Sequence, residues 1–142
     1  MSESTPIQLT VLSEIRNGND DKETIEVKTT GEYVQKGKTL YIRYEEEHEL
    51  GFVKTTVKIA GNEVVVMRSG AVAMKQRFSE GMVTLTDYST PFGKLQLETK
   101  TKSLTIDTNE LEGKLVILYD LQIDEKEKHV HKLVLTYKEE QK

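Results

Sequence analysis

Two histidines are the first side chains of this sequence whose types and spacing suit chemistry. His129 and His131 form an H-x-H pair, and on a strand both rings would point to one face, a spacing that can ligate a metal ion. A metal site needs further ligands, and the remaining histidine, His48, would have to arrive from another strand. We therefore interpret the pair as strand-end histidines and predict no metal site.

A run of carboxylates, Glu45, Glu46, Glu47 and Glu49, is the other candidate for acid–base chemistry or for a hard cation. Consecutive residues of a strand face opposite ways, so these side chains do not all converge. The sequence also lacks the G-x-S-x-G, P-loop and dinucleotide-binding motifs, and nothing in it assembles a nucleophile, a base and an orienting group. We predict neither an enzyme nor a bound cofactor.

Charge and composition exclude further classes of function. A net charge of −4 gives a surface that repels phosphate backbones on average, and 6% aromatic residues without Trp leave few stacking platforms for nucleic acid. The absence of Cys excludes disulfides and thiol nucleophiles. The start "MSESTPIQLT" is unlike a signal peptide, and the longest apolar run, "LVILY", is far below the roughly 20 residues that span a bilayer. We expect a cytoplasmic protein without a nucleic-acid or membrane partner.

The elements that must position these side chains are strands, because apolar residues recur at every second position. The alternation is cleanest at residues 53–59, 95–101 and 115–123, and it is typical of a strand with one buried face. Weaker segments bring the total to about ten strands. Turn residues separate them at intervals of roughly 8 to 12 residues and predict hairpin loops. These loops are expected at residues 17–22, 36–38, 61–62, 79–81 and 109–113.

Short connections favour an antiparallel meander, and a long meander usually closes on itself and so removes its edges. We predict one all-β domain over residues 1–142, an antiparallel up-and-down β-barrel of about eight to ten strands. A two-sheet sandwich is the alternative, because a sequence does not reveal closure.

The segment Thr90-Pro91-Phe92-Gly93 predicts a tight turn at one end of this barrel. Pro91 suits the second position of a type I turn and Gly93 the positive φ that follows, which together give a three-residue hairpin loop with a bulge. Phe92 would lie at the tip. We expect it to fold back onto the barrel rim, and contact with a partner is the alternative.

Two stretches, "MRSGAVAMKQRFSEGMVTLTDYSTPFGKLQLETKTKSL" at residues 67–104 and "GKLVILYDL" at 113–121, resemble the YwiB-like family of small bacterial β-barrel proteins. With the flanking strands, the resemblance covers essentially the whole chain. It implies a calycin-like barrel, similar in outline to lipocalins and fatty-acid-binding proteins. It implies no catalytic residue, and the family's biochemical role is uncharacterised. The matching residues are Arg68, Gly70, Phe78, Gly81, Tyr88, Thr90, Pro91, Gly93, Thr101, Leu104, Gly113 and Tyr119.

The alternation also assigns polar side chains to the inward face. Arg68 lies two residues after Val66, and the parity of "LYIRYEEE" makes Glu46 its candidate partner. A barrel that holds a small ligand needs such groups among apolar walls, whereas a filled barrel would have them bond to one another or to buried water. The candidate ligand-binding residues are Tyr44, Glu46, Arg68, Gln76, Thr99, Thr101, Tyr119 and Tyr137.

Two functions of different classes are compatible with this face. The first is a binding module that takes a small amphipathic or anionic ligand into the barrel, with Arg68 as the polar anchor and Tyr and Thr hydroxyls orienting it. The alternative is a protein-interaction module with a filled interior, which docks a partner through its outer face or through the Phe92 loop.

Overall fold

The computed structural model describes residues 4–17, 22–48, 50–109, 112–124 and 127–140. These residues form ten strands, and the strand pairs are antiparallel. The all-β prediction is therefore confirmed. The strands are β1 (Ser4–Arg16), β2 (Lys22–Lys36), β3 (Thr39–His48), β4 (Gly51–Ala60), β5 (Glu63–Gly70), β6 (Met74–Ser79), β7 (Val83–Thr90), β8 (Gly93–Thr108), β9 (Glu112–Ile123) and β10 (Glu127–Glu139).

One sheet contains all ten strands in the order β6-β5-β4-β3-β2-β1-β10-β9-β8-β7. Strands that follow one another in sequence are paired, with one exception: β6 and β7 lie at the two ends of the order. The first and last strands pair along their length, for example Ile7 with Glu139, so the two chain ends meet in the middle of the sheet. The hairpin predicted at residues 79–81 is therefore wrong, because these residues join the two edge strands.

Curling of the sheet brings those two edges together into a nearly closed barrel. Ala73 and Ser89 exchange backbone hydrogen bonds of 2.9 and 2.8 Å across the seam. Further along, the hydroxyls of Thr84 and Thr86 donate to carbonyl oxygens of β6 at 2.8 and 3.3 Å, in place of ladder hydrogen bonds. The two edges thus cover each other, so neither is left open for pairing with another chain. A single curled sheet confirms the barrel rather than the sandwich.

The inward faces of the strands form one apolar core. Phe78 packs edge-on against Tyr119 across the interior, with ring centroids 4.8 Å apart. Each fully buried aliphatic or aromatic side chain stabilises the fold by about 1.5 to 3 kcal/mol relative to exposure. The largest fully buried side chains include Ile7, Leu9, Ile42, Val57, Val64, Phe78, Leu115, Ile117 and Leu135.

Loops at one end of the barrel carry exposed phenylalanines. We call the end that holds the β3–β4, β5–β6 and β7–β8 connections the upper end. Thr90 pairs directly with Gly93, so the β7–β8 loop has two residues rather than the three predicted, while Gly93 has the expected positive φ of 134°. Phe92 is 86% exposed, so the expectation that it packs on the rim is wrong. Phe52, after the β3–β4 connection, is 71% exposed.

Some predicted features lie outside the described residues. They include Glu49, the side chain of His48 and parts of the loops at 17–22 and 109–113. Within the described ranges, no helix has the length and apolarity needed to cross a bilayer.

Candidate functional site

The wall of the barrel splits between β2 and β3 near the upper end. Their ladder ends at the pair Gly31–Tyr44, although both strands continue beyond it. Beyond this point, residues 22–30 of β2 still pair with β1, and residues 45–48 of β3 still pair with β4. The two strands therefore diverge, each remaining attached to its other neighbour.

A cleft of about 720 Å³ lies at this split, and we call it the β2–β3 cleft. Arg43 and Lys54, from the outward faces of β3 and β4, line it together with Tyr44 and Thr55 from the inward faces. Tyr44 and Thr55 are 6% and 1% exposed, so the cleft lies on the outer side of the wall and these two residues close its inner end. Phe52 also lines the cleft.

Gly31 is required where the ladder ends. A Cβ atom at this position would overlap the carbonyl oxygen of Arg43 and would lie 2.8 Å from Leu9 Cδ1. Only glycine permits so close an approach of β3 and the core. The upper edge of the ladder is therefore fixed by a residue without a side chain.

Behind the cleft, Arg68 of β5 points inward and faces Glu46 of β3. The Nη2 atom of Arg68 lies 3.8 Å from Oε1 of Glu46, and Thr55 Oγ1 donates to the same oxygen at 3.4 Å. The two side chains are 29% and 18% exposed, so the pair is neither closed nor dry. Nε of Arg68 is buried and has no hydrogen-bond partner among the described residues.

The charge of this guanidinium affects two buried tyrosines on different walls. Burial raises the pKa of Tyr44 and of Tyr119 to about 12, and the positive charge of Arg68 acts in the opposite direction on both. Both phenols are therefore neutral near pH 7 and can donate or accept a hydrogen bond. The charge of Arg68 thus acts on Tyr44 of β3 and on Tyr119 of β9.

His131 of β10 extends the polar group beyond Tyr119. The Tyr119 hydroxyl lies 3.4 Å from Nδ1 of His131, and the two rings stack with centroids 5.0 Å apart. Burial, reinforced by His129, lowers the pKa of His131 to about 4, so the ring is neutral at pH 7. When Tyr119 donates to Nδ1, the ring proton lies on Nε2. Nε2 is buried without a partner in the part of the chain that is described.

Thr101 completes the group, which we call the polar cluster. It lies opposite Tyr119 in the β8–β9 ladder, it is 1% exposed, and its Oγ1 has no hydrogen-bond partner within the described ranges. The polar cluster comprises Tyr44, Glu46, Thr55, Arg68, Thr101, Tyr119 and His131.

Three predicted ligand-binding residues lie outside the polar cluster. Gln76 Nε2 donates to Thr99 Oγ1 at 2.9 Å, so these two buried side chains satisfy each other. Tyr137 lies near the opposite end, where its hydroxyl donates to the carbonyl oxygen of Asn109 and its ring tilts against Tyr33. Sequence reasoning missed His131 as a member, although its shared parity with Leu135 and Tyr137 was a signal that it faces inward.

Comparison with known proteins places this chain in a family. Residues 9–141 match the family model described as "Domain of unknown function (DUF1934)". The chain belongs to the DUF1934 family. It is 45% identical over 137 residues to the "Uncharacterized beta-barrel protein YwiB" of Bacillus subtilis (strain 168), with 96% of each chain covered. The resemblance to the YwiB-like family is confirmed.

A solved structure supports the same DUF1934 fold. The crystal structure of ywiB protein from Bacillus subtilis matches this chain with a TM-score of 0.90 and 44% sequence identity. The match covers 97% of this chain and 94% of that chain. The family description assigns no activity, so the geometry of the polar cluster is the guide to its chemistry.

Proposed function

We propose that this DUF1934 protein is a binding module that takes a small amphipathic molecule with one negative charge into the polar cluster. The observation that carries this proposal is a set of unsatisfied groups. Arg68 Nε, Thr101 Oγ1 and His131 Nε2 are buried without a hydrogen-bond partner among the described residues. Leaving one such group unsatisfied costs about 1 to 3 kcal/mol, and buried polar groups are normally bonded. All three can donate to the oxygens of an anion.

The charges of the cluster favour a single negative charge on the ligand. Arg68 carries a positive charge, and its guanidinium fork can hold a carboxylate with two hydrogen bonds. Glu46 at 3.8 Å already balances that charge, while Tyr44 and Tyr119 are neutral. A dianion would therefore add more repulsion from Glu46 than a carboxylate does.

Apolar surface at the same end supports an amphipathic ligand. Val27 of β2 packs against the core, and Ile25, which shares its face, is 44% exposed. An apolar tail lying against Ile25 would remove this surface from water, at about 25 cal/mol for each Å² covered.

Calorimetric titration with decanoate at pH 7.5 tests the proposal. Wild-type protein should bind, and Arg68→Met should weaken binding by about tenfold or more, equivalent to about 1.4 kcal/mol. Arg77→Met is the matched control, because Arg77 lies on the outer face, where its Nε is 3.0 Å from Glu63. Equal affinity of wild type and Arg68→Met would contradict the anchor role. Native mass spectrometry of protein purified from cells would show whether a small molecule is retained.

The second candidate is a protein-interaction module, which the exposure of Phe92 and Phe52 at the upper end favours. Large exposed apolar side chains often mark contact surfaces. A partner that co-purifies with wild type and with Arg68→Met, but not with Phe92→Ser, would support this function. Co-purification that Phe92→Ser leaves unchanged would exclude the loop as the contact.

A further inference from the structure

A ligand site inside a barrel needs an entrance. We propose that the β2–β3 cleft is this entrance, so that the ligand reaches the polar cluster laterally, through the wall, between Thr30 and Glu45. The entrance rests on the proposed function, because it serves the same site. The strand pairing and the places where the barrel is filled both point to this route.

The ladder between β2 and β3 ends at Gly31–Tyr44, in the row of paired residues that leads to Arg68. In the ladders, Tyr44 lies opposite Thr55, and Thr55 lies opposite Arg68. Tyr44, the last residue of β3 that pairs with β2, therefore lies in the same row across the sheet as Arg68. The volume of about 720 Å³ lies within the range of roughly 300 to 1,000 Å³ that small-molecule sites occupy.

Two other routes are filled by side chains. Ile42, Val57 and Phe78 are fully buried across the middle of the barrel, so a molecule from the lower end would have to displace the core. The seam between β6 and β7 is bridged by the hydroxyls of Thr84 and Thr86. Close packing of this kind does not open without loss of stability.

A continuous set of contacts leads from the cleft to the anchor. Thr55 lines the cleft and donates to Glu46 at 3.4 Å, and Glu46 lies 3.8 Å from Arg68. Tyr44 also lines the cleft and lies within the field of the same guanidinium. A carboxylate that enters between Thr30 and Glu45 would therefore have to pass Tyr44 and Thr55, which close the inner end of the cleft, before it reaches Arg68.

A cysteine pair can close the entrance. Thr30 and Glu45 are exposed, lie next to the Gly31–Tyr44 pair on the outer face, and would be opposite each other if the ladder continued. The natural chain has no cysteine, so Thr30→Cys with Glu45→Cys can be oxidised, or bridged with a short bismaleimide, without side reactions at native thiols. Lys36→Cys with Thr39→Cys is the control, because these residues pair at the other end of the same ladder.

The readout is the association rate of the fluorescent fatty acid cis-parinarate in stopped flow. Bridging residues 30 and 45 should slow association and dissociation by about tenfold or more, because opening becomes limiting, and reduction of the disulfide should restore both rates. The control bridge should change neither. Thr30→Trp, which fills the cleft without a cross-link, should slow association in the same direction.

The outcomes separate the entrance from the site. Unchanged association in the bridged protein, with binding intact, would overturn the entrance and leave the proposed function standing. Absence of cis-parinarate and decanoate binding in the wild type would overturn the proposed function and the entrance with it. Association that is slower only in the bridged protein and in Thr30→Trp would support both the entrance and the proposed function.

Discussion

The described neighbours of Arg68 satisfy the hydrogen-bonding groups of its guanidinium only in part. The guanidinium carries a positive charge, its carboxylate partner is 3.8 Å away, and its Nε is unpartnered among the described residues. Such a group is stabilised by whatever brings oxygen atoms to it, whether water or a ligand. Its removal and the removal of Glu46 are therefore not equivalent changes.

We expect Arg68→Met to change the free energy of unfolding by less than about 1 kcal/mol, because it removes the unmet hydrogen bond of Nε, and the Glu46 carboxylate that loses its counterion keeps its hydrogen bond from Thr55. Glu46→Gln leaves that charge without a counterion and should destabilise the fold by about 1 to 2 kcal/mol, less than for a fully buried pair. Urea unfolding of both variants measures the difference. A larger loss in Arg68→Met than in Glu46→Gln would contradict this expectation and show that the Arg68 side chain itself stabilises the barrel.

His131 should make stability depend on pH below neutrality. Burial lowers its pKa from 6.5 to about 4, so between these values the unfolded chain binds more protons than the folded one. The free energy of unfolding therefore rises with pH across this window and falls on acidification. Each pKa unit corresponds to about 1.4 kcal/mol, and partial solvent access to the ring reduces the total to about 1 to 2 kcal/mol.

Urea unfolding at pH 7.0 and pH 5.0 measures this effect. His131→Gln removes the titrating ring and should lose most of the difference between the two values. His129→Gln is the control and should retain it, because burial is the larger cause of the lowered pKa of His131. An equal pH dependence in wild type and His131→Gln would assign the effect to carboxylates instead.

At the scale of the element, Gly93 tests the β7–β8 turn. Its φ of 134° is one that residues with a Cβ rarely adopt, and a Cβ there would meet no atom within 4 Å. Gly93→Val should therefore destabilise the barrel by about 1 kcal/mol or more through backbone strain alone. Thermal unfolding measures the loss, with the neighbouring Lys94→Val as the control. Equal melting temperatures for the two variants would contradict the turn.

The seam between β6 and β7 depends on threonine hydroxyls rather than on a ladder. Thr84→Val with Thr86→Val should remove both bridging hydrogen bonds, leave two carbonyl oxygens of β6 unpaired, and destabilise the protein by about 1 to 3 kcal/mol. Thr105→Val is the control, because Thr105 is exposed on β8. Hydrogen exchange should accelerate in β6 and β7 before the other strands; uniform protection would show that the hydroxyls do not hold the seam.

Period-2 alternation predicted the strands and their inward faces because burial on a pleated sheet is a local property of each strand. It placed Arg68 and Tyr137 on one face but could not give their heights, so it grouped residues that lie near opposite ends. The contact of His131 with Tyr119 depends on register between strands, which their own residues do not specify. The alternation also could not predict the split at Gly31. Both strands are regular there, and they diverge because each remains paired with its other neighbour.

At the scale of the whole molecule, the polar cluster and the cleft both lie toward the upper end, while the middle of the barrel is a packed core. This division lets one end carry polar groups that the core does not tolerate. Under the proposed function, substitutions in the cluster should accordingly change ligand binding more than they change the fold.

The pairing of β1 with β10 also has a consequence for how the chain folds. Ile7 must pair with Glu139 before the sheet is complete. The loop closed by this pair contains most of the chain, and closing so long a loop slows folding. A circular permutant can join the two chain ends with a short linker and open the chain between Glu80 and Gly81. In this permutant, each of the ten strands would pair with the strand that follows it in the sequence. We expect it to refold faster than the native chain after dilution from urea, by about tenfold, because its mean contact separation is smaller. Slower or equal refolding would indicate that closure of the seam, and not the meeting of the chain ends, limits the rate.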